Sequence, residues 1–369
     1  MRSLLSPLVS AAIAHVLFAT AILAQTRVVE ECVSPCPVSV TLLATLGDTL
    51  GASDGFVGQP QALARTSSGE FLLADRYDQD RIKRFSRTGK YIGHVGRRGK
   101  GPGEFEVLQF VTVLPGDSVE TYDLGQRRVT TFAPDWKPVR TVDVGTGALE
   151  MARLENGSRV IAGYRYEPER VGLPLHLIDP QGKMTISFGA QPPVSDLRNL
   201  HLFYRHVAHS VGQKTVWSSH VLRYRLEEWS TDGRLAGVLE RRPPWFTAGQ
   251  RYGYIDAEQA PAAGIAAIHI NDAGIIWVII HVPDTDWKEG LGATEDPYGR
   301  TYMGIARYDD YFDTVIEAID PIGGRILGSR RMDDYAIGFT DDGLLFGYRE
   351  AENGEPYIPI WAVQTSGNM

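Results

Sequence analysis

The fold is decided by residues 89–105, GKYIGHVGRRGKGPGEF, a glycine-rich and basic run. A nucleotide P-loop needs Gly, four residues and then Gly-Lys-Ser or Gly-Lys-Thr. Here the Gly-Lys pair at 99–100 is followed by Gly101, and His94 stands where the first Gly belongs. A dinucleotide-binding loop needs a helix behind it, but residues 104–124, EFEVLQFVTVLPGDSVETYDL, carry strand and hairpin signals. The run therefore predicts a turn of the chain and not a phosphate site.

A stretch with the same spacing lies upstream, since Gly47 precedes Phe56 by the nine residues that also separate Gly96 from Phe105. Two series of turn signals then recur, each flanked by β-branched or aromatic residues. The first series lies at residues 68–69, 115–117, 156–157, 211–213, 272–274 and 341–343, and the second at 88–90, 135–137, 181–183, 232–234 and 323–325. The distance between partner turns is 20 residues in the first two units and 50 in the fifth.

Each unit therefore holds two hairpins, or four strands that we call A to D, as in residues 62–96. Four antiparallel strands per unit at this period are typical of propeller blades. The sixth unit has three strands before the chain ends, and residues 38–47, VSVTLLATLG, can supply the fourth. The sequence thus predicts an all-β, six-bladed β-propeller over residues 38–369, closed by an N-terminal strand in the last blade.

The first two units also resemble a known family. Residues 69–82, GEFLLADRYDQDRI, and 81–105, RIKRFSRTGKYIGHVGRRGKGPGEF, are similar to NHL-repeat six-bladed β-propellers, particularly the exported bacterial members. The resemblance fades to a hydrophobic pattern in units three to six. It implies the fold but no single function, since such propellers serve as binding platforms, lyases, esterase-like enzymes and receptor modules.

Composition limits the partners and the compartment. The formal net charge is -8, which leaves no electrostatic footprint for nucleic acid. Residues 1–24 place one Arg before an apolar stretch that ends in Ile-Leu-Ala, the pattern of a cleavable signal peptide; an uncleaved anchor is the alternative. No later run reaches spanning length. We expect a secreted or periplasmic monomer, with residues 25–37 as an N-terminal segment.

Both cysteines of the chain, Cys32 and Cys36, lie in that segment. An exported protein meets an oxidising compartment, in which the two thiols can pair. We expect a disulfide bond that clips the mature N-terminus locally, in preference to a metal site.

We select candidate ligand-binding residues by the face of the propeller on which they lie. D-to-A linkers and B-to-C loops share one face of such a propeller, called here the linker face; the A-to-B and C-to-D turns form the opposite turn face. The candidates on the linker face are charged residues near the first linkers, strand B ends and aromatic residues of the long fifth unit. They are Asp75, Arg76, Arg97, Arg98, Asp123, Tyr164, Trp287, Tyr298 and Glu350.

Three histidines suggest a rival function. His206 starts a strand A, and His220 and His281 end strands B, so all three fall on the channel side of the linker face. Three imidazoles that converge could hold a divalent metal for a lyase or hydrolase. The leading hypothesis is a module that binds a ligand or a protein partner, with no assured cofactor and no catalysis.

Overall fold

The computed structural model describes residues 25–32, 36–47, 55–163, 173–189, 204–209, 212, 214–246, 255–295 and 301–365. The predicted signal peptide, 1–24, lies outside the described residues, as do Tyr164 and Tyr298.

The chain forms six four-stranded antiparallel blades in a ring, as the sequence predicts. Two strands precede the first blade, β1 (Gln25–Val28) and β2 (Val38–Leu46). Blade 1 contains β3 (Pro60–Arg65), β4 (Phe71–Asp75), β5 (Ile82–Phe85) and β6 (Tyr91–Val95). Blade 2 contains β7 (Leu108–Val113), β8 (Val119–Asp123), β9 (Arg128–Phe132) and β10 (Pro138–Asp143). Blade 3 contains β11 (Ala148–Arg153), β12 (Arg159–Gly163), β13 (Leu175–Ile178) and β14 (Met184–Phe188).

The second half of the ring carries the additions to this pattern. Blade 4 contains β15 (Arg205–Ala208), β16 (Thr215–His220), β17 (Arg223–Ser230) and β18 (Leu235–Glu240). Blade 5 contains β19 (Gly264–Ile270), β20 (Ile276–Pro283), β23 (Phe312–Asp320) and β24 (Arg325–Met332). A 3₁₀ helix (Trp287–Gly290) and the hairpin of β21 (Leu291–Glu295) and β22 (Thr301–Ile305) lie between its strands B and C. The extra residues of the fifth unit are therefore inserted on the linker face, as predicted.

Blade 6 is built from both ends of the chain. It contains β25 (Ala336–Phe339), β26 (Leu345–Gly347) and β28 (Pro356–Thr365), with the short β27 (Arg349–Glu350) beside β28. Its outer strand is β2, which pairs antiparallel with β28 from Val38 opposite Thr365 to Leu46 opposite Ile358.

Hydrophobic clusters between neighbouring blades form the core. Strands β4, β8 and β12 are buried along their whole length, because each is a strand B that lies between an inner and an outer strand and between two blades. Phe105 is 1% exposed and packs 6.1 Å from the ring of Phe132. A linker phenylalanine thus fixes the junction of blades 1 and 2.

The glycine-rich run at 97–105 is a self-contained linker. Glu104 accepts hydrogen bonds from Gly101 N (2.8 Å) and from Arg97 Nε (2.9 Å), and Arg128 donates to the carbonyl of Lys100 (2.7 Å). Gly96 has φ +95°, and a side chain there would lie 2.5 Å from the Phe105 ring. Arg97, Gly101 and Glu104 are bonded to one another within the run, which agrees with a turn and not a phosphate cradle.

The N-terminal segment, expected outside the propeller, pairs with the outer strands of blades 4 and 5. Strand β1 pairs in parallel with β18 of blade 4, from Gln25 opposite Gly237 to Val28 opposite Glu240. Parallel bridges then join Glu30 to Arg325 in blade 5, and Pro37 to Ser329.

A buried ionic cluster joins the same segment to blades 4 and 5. Arg241 donates to both carboxylate oxygens of Glu317 at 2.7 Å, and Tyr224 donates its hydroxyl to the same carboxylate. Glu317 is fully buried, and Arg241 is 6% exposed. Glu31 accepts two further bonds from the Arg241 guanidinium, so the segment contributes a second carboxylate to the cluster.

We expect deletion of residues 38–47 to abolish cooperative unfolding. The deletion would expose the outer edge of β28 and would remove the buried side chains of Val38 and Leu46. Urea titration followed by tryptophan fluorescence measures the effect, with residues 25–369 as the parent. A truncated chain with the midpoint and slope of the parent would show that β2 is not needed for closure.

The sulfur atoms of Cys32 and Cys36 are joined in the structure, and both residues pack against the core cluster of blades 4 and 5. We expect exported protein, alkylated without reduction, to carry no label on either cysteine by mass spectrometry. Replacing both residues by Ser should cost no more than about 2 kcal/mol, since the bond closes a very short loop. Two labelled thiols in freshly exported material would contradict the pairing.

Candidate functional site

The strands A of the six blades surround a central cavity of about 540 Å³. Its lining includes aromatic and aliphatic side chains such as Phe110, Met151 and Phe339. Residues of A-to-B turns, among them Glu155 and Asp341, also line it. The cavity thus extends along the inner strands to the turn face, opposite the face on which the sequence candidates lie.

Three polar atoms of the cavity lining are buried and have no hydrogen-bond partner: Gln61 Oε1, Arg153 Nε and His209 Nε2. Arg153 Nε lies 3.5 Å from a carboxylate oxygen of Glu120, and His209 uses its other ring nitrogen on the carbonyl of Thr215 (3.1 Å). Buried polar atoms are nearly always satisfied in folded proteins, by protein, water or ligand. Gln61, Arg153 and His209 therefore bring polar side chains, each with a buried unpaired atom, to the wall of the channel.

His206 bridges three blades near the linker end of the channel. Its Nδ1 lies 3.1 Å from Glu150 Oε1 in blade 3, and its Nε2 lies 3.0 Å from the carbonyl of Ile265 in blade 5. Both ring nitrogens are therefore engaged within the protein. The arrangement ties neighbouring strands A together across the channel.

His281 is buried among aromatic rings. It is 2% exposed, stacks on Tyr335 at 4.4 Å between ring centroids, and places Nε2 2.7 Å from the carbonyl of Ala336. Burial lowers the pKa of His281 to about 4, so the ring is neutral at physiological pH. In the structure it packs against these rings and joins blades 5 and 6 through the bond to Ala336.

The three histidines do not assemble a metal centre. His220 uses Nδ1 to accept the N–H of Leu222 at 3.0 Å, and His206 and His281 have the partners just described. Within the described ranges, no group of three or more His, Cys, Asp or Glu side chains is arranged to hold a metal ion.

The carboxylates at two strand B ends hold the linkers that precede their blades. Asp75 is fully buried and accepts hydrogen bonds from the N–H groups of Gly58 (2.7 Å) and Gln59 (2.9 Å), with Lys83 Nζ at 3.1 Å. Asp123 repeats the arrangement in blade 2, where Glu106 donates its N–H at 2.6 Å. These two groups serve the chain's own backbone.

The other linker-face candidates are spread over the rim. Arg76 and Arg98 are exposed, and Arg97 forms a salt bridge with Glu104 while its side chain stays 81% exposed. Trp287 packs edge-on against Tyr311, with ring centroids 5.9 Å apart. Glu350 accepts the hydroxyl of Tyr348 at 2.9 Å. None of these residues is among those that line the channel.

The inserted segment of blade 5 builds an aromatic group on the linker face. Tyr308 lies 5.1 Å from Tyr335, Phe312 lies 6.2 Å from Tyr335, and Tyr311 lies 4.7 Å from Phe312, all between ring centroids. His281 stacks into the same group. The sequence predicted aromatic residues here, and the structure shows them packed on one another.

No protein-family model and no curated protein matches the sequence. Solved structures do match. A candidate exported protein of Bacteroides fragilis NCTC 9343 is 11% identical and covers 92% of this chain and 100% of its own, with a TM-score of 0.55. A member of the DUF4221 family from Bacteroides vulgatus ATCC 8482 is 9% identical and covers 89% and 99%, with a TM-score of 0.59. The shared feature is the fold. At such identities the likeness carries no function.

Among the helices that the structure describes, none has the length and apolar content needed to cross a bilayer.

Sequence reasoning missed the channel residues Gln61, Arg153 and His209. The available signal was their position on predicted strands A, which line the axis in every propeller blade. It was not used because polar residues in inner strands alternate with core residues, and the pattern alone does not say which side faces the axis.

We expect His281 to give the protein an acid-sensitive stability. The folded-state pKa of about 4 lies below the ordinary 6.5, so the unfolded chain binds the proton more tightly. Stability is then complete above about pH 6.5 and falls as the pH drops toward 4. Between pH 7 and pH 5 this group should cost about 2 kcal/mol of unfolding free energy.

The measurement is urea unfolding at both pH values for the wild type, His281→Gln and the control His94→Gln, whose side chain is exposed on an outer strand. The loss between the two pH values should be smaller by about 2 kcal/mol in His281→Gln and unchanged in the control. Parallel losses in all three proteins would mean that His281 titrates normally in the folded state.

Proposed function

We propose that this protein is an exported propeller of the NHL-repeat type that binds a small polar ligand in its central channel. The observation that carries the proposal is the cavity of about 540 Å³, whose lining residues include Gln61, Arg153 and His209, each with a buried polar atom that has no hydrogen-bond partner. Ligand pockets of this size usually combine apolar walls with a few placed polar groups. The channel has both.

Export is supported by the N-terminal pattern of residues 1–24 and by the Cys32–Cys36 bond, which requires an oxidising compartment. The similar Bacteroides fragilis protein is described as a candidate exported protein, which agrees with that address. We propose a periplasmic or secreted location and a monomer whose partner is a small molecule and not a nucleic acid.

The chemistry of the lining residues limits the class of ligand that the channel can bind. Phe110 and Phe339 offer flat apolar surface, Gln61 offers an acceptor, and Arg153 offers a cationic donor. A molecule with a flat apolar part and hydrogen-bonding groups of both kinds fits this lining best. The partner groups are fixed on rigid inner strands, so the site is largely preformed.

Native mass spectrometry of protein purified from the periplasm of an exporting host tests the proposal. We expect a bound molecule in the wild type and a loss of at least about tenfold in occupancy in Gln61→Leu, since the variant removes the acceptor but keeps the volume. The matched control is Gln109→Leu. Gln109 follows the first residue of β7 as Gln61 follows the first residue of β3, but it does not line the cavity.

Thermal unfolding against a library of polar small molecules gives the second measurement. Compounds that stabilise the wild type and Gln109→Leu should fail to stabilise Gln61→Leu. A channel that yields no bound molecule and no stabilising compound, or equal binding by both variants, would contradict a ligand site there.

A further inference from the structure

One arginine in the described part of blade 4 is buried without a partner. Arg205, the first residue of β15, is 4% exposed, and its Nε and Nη1 atoms have no hydrogen-bond partner. An uncompensated buried guanidinium is costly, since both its charge and its donors are withdrawn from water. Burial also lowers the pKa of Arg205 to about 10, an effect that nearby Glu227 opposes only in part.

The strand register places other basic groups beside it. Arg205 is directly opposite His220 on β16, which is opposite Arg223 on β17. Residues opposite one another in a ladder point to the same side of a sheet, and so do residues two apart in a strand. Arg223 and Arg225 therefore share the face of Arg205, at the linker end of the blade.

The acidic residues of this face are already engaged. Arg225 donates to Glu227 Oε1 and to Glu240 Oε1, both at 2.8 Å, and Arg242 takes the other oxygen of Glu240 at 2.7 Å. Among the described residues, none provides Arg205 with a counter-ion at hydrogen-bond distance. The surplus of positive charge on this face is one that an anion from outside would balance.

We infer that Arg205 is the base of a second binding site, which takes an oxyanion: a carboxylate or phosphoryl group of a small molecule. The site is separate from the channel. The neighbouring His206 points to the axis and contacts Glu150 and Ile265, and alternate residues of a strand point to opposite sides. Guanidinium groups are preferred for such anions because their donors match the oxygen geometry.

Isothermal titration and thermal unfolding of the mature chain, residues 25–369, with sodium phosphate or sodium acetate at constant ionic strength set by NaCl, test the inference. We expect at least one of the two anions at about 10 mM to raise Tm by about 2 °C or more. A response to phosphate alone assigns the phosphoryl class, and a response to acetate alone assigns the carboxylate class.

Arg205→Met should lose the anion-dependent rise while folding normally in NaCl, since it removes an unpaired buried charge and keeps the apolar stem. The control is Arg234→Met, which changes an exposed arginine in the C-to-D turn of the same blade and should keep the rise. If Arg205→Met does not fold, Arg205→Lys replaces it and should weaken anion binding at least about fivefold.

Two results would overturn the site. One is a wild type that responds to phosphate and acetate no more than to NaCl. The other is an anion response that survives in Arg205→Met or Arg205→Lys at full size, which would make Arg205 a packing residue.

Discussion

The pairing of β2 with β28 is the constraint on which the propeller depends. Each blade is stabilised by packing on two neighbours, so an open ring would leave two blade faces and one sheet edge exposed. Joining the chain ends costs about 5 kcal/mol of loop-closure entropy. Burying the side chains of Val38 and Leu46 alone returns about 3–6 kcal/mol. The hydrogen bonds of the β2–β28 ladder add to that gain, and closure is favourable.

The segment before β2 extends this closure to blades 4 and 5. Glu31 reaches the Arg241–Glu317 pair, which is buried between these blades. Removing Arg241 or Glu317 from this buried pair leaves an uncompensated charge, which costs about 3–5 kcal/mol. The Cys32–Cys36 disulfide constrains the segment that connects β1 to β2. The mature N-terminus is therefore a structural part of the ring and not a tether in front of it.

The propeller fold could be predicted from the sequence, because Gly at positive φ and Asp-Gly turns recur with the blade period. Contacts between blades could not be predicted from the sequence. Arg241 and Glu317, for example, are 76 residues apart and meet through the closed geometry of the ring. The position of Asp75 was predicted, but its role was not. A carboxylate at a strand B end faces the N–H groups of the preceding linker, and those groups need an acceptor before any ligand does.

Three buried arginines of similar exposure show how the fold handles charge. Arg159 is held by both oxygens of Glu120, and Arg241 is held by Glu317 and Glu31, which raise its pKa above the ordinary value. Arg205 differs, since its pKa is lowered to about 10. Desolvating an ion costs several kcal/mol, and a hydrophobic residue of similar volume at this position would avoid that cost. The ring supplies carboxylates to Arg159 and Arg241 but not to Arg205. The charge of Arg205 is then balanced by a group from outside the described residues.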